Sequence, residues 1–160
     1  MQSFQPSDNI SKYFTFSEVL ALPSWSRLGN ESDGLNDDVI ARLKFLAQKM
    51  DLVRTYFGKP IHVHVCWRPV KYNAQIGGAR NSAHIAGVNA QGLPLQSGEM
   101  EAAMDFDVEG MSCIDAKNMI LQDNKLEEWG MRMENNGDNA NWVHLDTRQP
   151  LPGHARYFIP

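Results

Sequence analysis

The chain has 160 residues, 42% of them hydrophobic and 21% charged, with a formal net charge of −4. That size and balance suit one globular domain over 1–160 and exclude a disordered tail or a fibrous repeat. Its apolar runs fall far short of the roughly 20 residues that cross a bilayer, its acidity argues against a general nucleic-acid binder, and its two cysteines, Cys66 and Cys113, form no C-x-x-C ribbon.

The opening residues lack a basic start followed by an apolar run, so no secretory signal is expected. Phe14-Thr15-Phe16-Ser17-Glu18 is the first ordered signal, and the Pro and Gly of Leu22–Trp25 and Gly29–Gly34 mark loops. Val39, Leu43, Leu46, Met50, Val53 and Phe57 recur at three- and four-residue steps, which predicts an amphipathic helix from Asn36 to Phe57. Asn36 can cap its start, and Gly58-Lys59-Pro60 stops it.

Ile61–Cys66 alternates strictly and predicts a strand with Ile61, Val63 and Val65 facing inward. A short helix over Pro69–Ile76 ends at Gly77-Gly78, and the Gly-, Asn- and Gln-rich stretch Gly87–Gly98 reads as an exposed loop. Ala103–Val108 predicts a second strand. Ser112 followed by Asp115 resembles a capping box ahead of a helix to Gln122. Met131–Glu134 and Asn141–Thr147 are the closing strands, joined by a turn at Asn135–Asp138. Helices and strands mix without a βαβ rhythm, so the expected class is α+β, a small antiparallel sheet flanked by helices.

Zinc sites for hydrolysis commonly take three ligands from His and carboxylates and leave a fourth position to water. Two segments offer such groups: Asn81–Gly87 continuing into Ala103–Phe106, and Trp142–Asp146. A rival arrangement uses His62 and His64, which strand alternation puts on one face, completed by His84 or His144. His154 reads as a tail residue, and both cysteines as small, inert packing groups.

Ser82-Ala83-His84-Ile85-Ala86-Gly87 with Ala103-Met104-Asp105-Phe106 resembles the S-x-H-x-x-G-x-A-x-D motif of the zinc D-alanyl-D-alanine peptidase family. Trp142-Val143-His144-Leu145-Asp146 is similar to that family's second-histidine motif, and Cys66–Pro69 with Asn73 and Gly77-Gly78 to its S-G-Y-R-S…N…G-G segment. Phe14–Glu18 resembles the opening of its endolysin-like and murein-endopeptidase-like members. The resemblance implies Zn2+ held by His84, Asp105 and His144 in a cleft on one sheet face. It implies hydrolysis of a peptide bond in peptidoglycan, with Arg68 steadying the oxyanion. It also implies a monomer like a phage lysis protein, made in the host cytoplasm and acting on the wall after release.

Two departures stand out. Asp105 follows His84 by 105 − 84 = 21 positions where the motif has 7, an insertion of 21 − 7 = 14 residues whose composition suggests a flexible excursion. Asp107 is the fallback ligand. Several branches place an acidic general base three residues before the second His; here that residue is Asn141, which cannot accept the proton. Asp146, Glu134 and Asp138 are the candidate replacements, Asp146 and Glu134 ahead of Asp138. Without a base the chain would be a non-catalytic, zinc-containing wall-binding or virion-associated domain.

Overall fold

The computed structural model describes residues 4–137 and 140–159. Helix α1 (Phe16–Leu20) opens on a capping box, in which Thr15 and Glu18 each satisfy the other's backbone N–H. Strands β1 (Ala21–Leu22) and β2 (Arg27–Leu28) form a small hairpin inside the segment that reads as loop from its Pro and Gly. Helix α2 (Asp37–Phe57) starts at the predicted cap, where the Asn36 side chain accepts from Val39 N–H. It ends at Gly58, whose positive φ of 63° lets its N–H reach the Arg54 carbonyl.

Strand β3 (Ile61–Val65) and helix α3 (Val70–Gln75) follow, then β4 (Ala103–Val108), helices α4 (Cys113–Gln122) and α5 (Lys125–Trp129), and strands β5 (Arg132–Glu134), β6 (Val143–Asp146) and β7 (Tyr157–Phe158). The main sheet has the order β3-β4-β6-β5-β7. Its first four strands pair antiparallel, as expected; β7 joins parallel to β5, which makes the sheet mixed. Neither α5 nor β7 carries enough periodic residues to declare itself in the sequence.

The sheet has two chemically different faces. Met104, Phe106, Val143, Leu145 and Met133 are fully buried and share the core with the apolar stripe of α2. Alternation turns Asp105, Asp107, His144 and Asp146 the other way. In β3, Ile61 is buried and Val63 and Val65 are half-buried, while His62 and His64 are exposed.

The stretch 87–98 is a folded loop rather than a flexible excursion. Val88 bridges Pro94, and Leu95 N–H donates to the Gly87 carbonyl. Two buried guanidiniums clamp it. Arg42 of α2 donates to the carbonyls of Ala86, Gln96 and Glu99, and Arg148 to those of Asn81 and Val88. Among the described residues no helix is long and apolar enough to cross a membrane.

Candidate metal centre

His84 sits in a short 3₁₀ turn over Ala83–Ile85, and the sequence around it explains its fixed place. Ser82 caps the turn by accepting from His84 N–H. The turn is then stitched to the segment after β3: Arg68 N–H donates to the His84 carbonyl at 2.8 Å, and Trp67 Nε1 to the Ile85 carbonyl at 3.1 Å. The Cys66 carbonyl, able only to accept, takes the His84 Nδ1 proton at 2.7 Å. That bond leaves the Nε2 lone pair facing the sheet.

Asp105 and His144 arrive by strand pairing, since they are Cα partners in the β4–β6 ladder. Three atoms converge: His84 Nε2 lies 3.1 Å from Asp105 Oδ1 and 3.3 Å from His144 Nδ1, and His144 Nδ1 lies 2.7 Å from Asp105 Oδ1. All three residues are buried. The far nitrogen of His144, Nε2, faces Asp146 Oδ2 at 3.6 Å. His84 Nε2 and His144 Nδ1 thus converge on one carboxylate oxygen, with their other nitrogens turned to groups that accept. Such a donor set could hold a shared cation, and two nitrogens and one oxygen on a triangle of about 3 Å suit zinc.

The electrostatics of the two rings differ. Burial lowers the His84 pKa and favours the neutral ring that a ligand needs. Burial would raise Asp105, but His84 and His144 beside it hold its carboxyl well below the usual range. Burial would likewise lower His144, yet hydrogen bonding to Asp105 and Asp146 outweighs it and pushes the ring up to about 9.

Arg68 donates through Nη2 to Asp105 Oδ2 at 2.9 Å, the oxygen turned away from the cluster. Its Nε is buried with no hydrogen-bond partner among the described residues. Asp146 is 1% exposed and gripped by Arg132, whose Nε and Nη2 each donate at 2.9 Å; it also accepts from Arg148 N–H. Glu134, by contrast, is half-buried and held by no described residue. It lines a slot of about 260 Å³ together with His144. Phe158, the register partner of Glu134 in β7, also lines that slot, and its ring packs against His144 and under Arg132.

The remaining candidates lie elsewhere. Asn141 is exposed and lines a separate groove with His62 and Asp107. His64 pairs with Asp107 at 3.0 Å, and neither belongs to the buried cluster. His154 is exposed, Cys66 and Cys113 are free thiols, and Asp138 lies outside the described residues. The sequence contains nothing that flags Arg132 or Phe158, because strand β7 and the ion pair exist only once the sheet is assembled.

The model of one protein family, described as Peptidase M15, matches residues 13–146. No curated protein and no solved structure matches the chain.

Proposed function

The chain belongs to the Peptidase M15 family, and from that premise we propose that it hydrolyses peptide bonds of peptidoglycan. One observation carries the reading: His84, Asp105 and His144 bring three ligand atoms within 4.8 Å of one another in a buried cluster that opens onto a slot. Zinc, when bound there, supplies Lewis-acid activation of water near neutral pH.

The chain's own residues do the rest. Cys66 and Asp146 orient the two imidazoles, and Arg68 holds Asp105 with the face of its carboxylate fixed. A guanidinium is a planar, fixed donor set, and the partly exposed Arg68 side chain beside Asp105 is suited to the developing oxyanion. Glu134 takes the proton from the attacking water and returns it to the leaving amine. It is the carboxylate in the slot that forms no ion pair among the described residues, whereas the two guanidinium bonds on Asp146 suit that residue to orientation instead.

Asn141 favours a second reading, a zinc-containing domain that binds the wall without cutting it. Digestion of purified peptidoglycan, followed by mass spectrometry of the muropeptides, separates the two. New amino termini are expected, and their position identifies the bond. Stoichiometric zinc with an unaltered muropeptide profile would establish the binding domain instead.

A further inference from the structure

The clamped loop after His84 forms the wall of a second pocket. That pocket, about 690 Å³, is lined by Val70 and Ala74 of α3, by Ile85 next to the ligand His84, and by Val88 and Gln91 of the loop. Its one charged lining group is Arg80, exposed and bound by no described residue. No acidic side chain lines it, although the chain as a whole is acidic.

A hydrogen bond links the linings of this pocket and of the slot beside His144. Asn81 Nδ2 donates to the Ala90 carbonyl at 2.7 Å. Asn81 lines both cavities; Ala90 faces the slot, and Gln91 and Gly92 face the pocket. A peptide lying in the slot beside His144 and extending past Asn81 therefore crosses this bar from one cavity into the other. The wall is already built, because Arg42 and Arg148 hold the loop by its carbonyls, so little ordering cost attends binding.

We propose that this pocket is a substrate subsite for a carboxylate-bearing segment of the peptide, with Arg80 as its anchor. An uncompensated guanidinium in a concave, acid-free site attracts a carboxylate and can bind it through two parallel donors. The aliphatic walls take a short apolar side chain next to that carboxylate. The inference rests on the peptidase reading, since it places the substrate in the slot beside His144.

The test compares two soluble stem peptides, one with its internal carboxyl groups free and one with them amidated. Calorimetric titration of the full chain as purified should show the free-carboxyl peptide binding about tenfold more tightly, the size of one charge-assisted contact. Arg80→Gln, a change at an exposed position, should erase the difference. Ala74→Trp, which fills the pocket from an exposed helix position, should weaken the free-carboxyl peptide by a similar factor. In turnover assays the preference should appear as a KM difference that Arg80→Gln removes. Equal binding of both peptides to the unaltered chain, or a preference that survives Arg80→Gln, overturns the subsite. Carboxylate preference without hydrolysis keeps the subsite and removes the peptidase; hydrolysis without preference does the reverse.

Discussion

Arg132 and Asp146 face each other across the β5–β6 ladder and are joined by two parallel hydrogen bonds, both 2.9 Å. A carboxylate held in that way and almost wholly buried is tied to its ionised form, and its pKa is lowered accordingly: burial opposes this, but His144 and Arg132 prevail. In the proposed mechanism its task is to orient His144.

Replacing each carboxylate by its amide separates orientation from proton transfer. Asp146→Asn should cut zinc affinity by about 10- to 100-fold, as loss of a ligand's partner does. Glu134→Gln should keep zinc in stoichiometric amount while lowering turnover by about 10² to 10⁴. Metal analysis and muropeptide release on the same samples read both. Full activity in Glu134→Gln would remove it from the mechanism.

Asn141→Asp should leave the rate within about twofold, since residue 141 lines the groove beside Asp107 and not the slot of Glu134 and His144. A large rise would mean that a base is missing and that position 141 is where it belongs.

Zinc affinity should climb with pH. With its pKa at about 9, His144 carries a proton below that value, and an ion must displace it. Apparent affinity should therefore gain about tenfold per pH unit up to about 9 and then level off. Stability of the zinc-stripped chain runs the other way. A raised histidine pKa contributes stability that is complete below the ordinary 6.5 and is lost as pH rises through about 9. The lowered pKa values of Asp105 and Asp146 act at the acid end, adding stability above the ordinary 3.8 that disappears as pH falls through their folded values. Calorimetry with and without chelator checks both limbs, and a flat affinity profile from neutral pH to 9 would contradict the proton count.

Gly78→Ala should destabilise the fold by about 1–3 kcal/mol, the ordinary cost of overpacking. A Cβ there would stand 2.2 Å from Asn73 Oδ1, and Asn73 cannot easily yield because its Nδ2 donates to the Ala79 carbonyl at 2.9 Å. Thermal melts of Gly78→Ala with and without Asn73→Ala should show the two changes to be less than additive. That coupling gives a steric reason for an Asn and a Gly–Gly pair at this spacing.

Much of this architecture is legible in the sequence where one local signal suffices. Asn36 and Gly58 bracket α2 because capping is a matter of a few adjacent residues. Ala103–Val108 forms β4 over the expected span despite two aspartates, since alternation separates its faces. Geometry reveals what pattern could not. The two-residue strands β1, β2 and β7 are too short to show a period. No local signal marks the tasks of Arg42 and Arg148, whose carbonyl partners lie dozens of positions away. The likeness of His84, Asp105 and His144 to a ligand set is visible in the sequence, but the roles of Asp146 and Glu134 turn on Arg132, which no spacing rule connects to either.

Because β4 and β6 must zip together before Asp105 and His144 stand opposite each other, a nascent or denatured chain offers a metal only scattered, flexible donors. On the proposed reading, metal loading is thus a late event on an assembled sheet, and chelation should silence the protein by emptying the centre that the β4–β6 register builds.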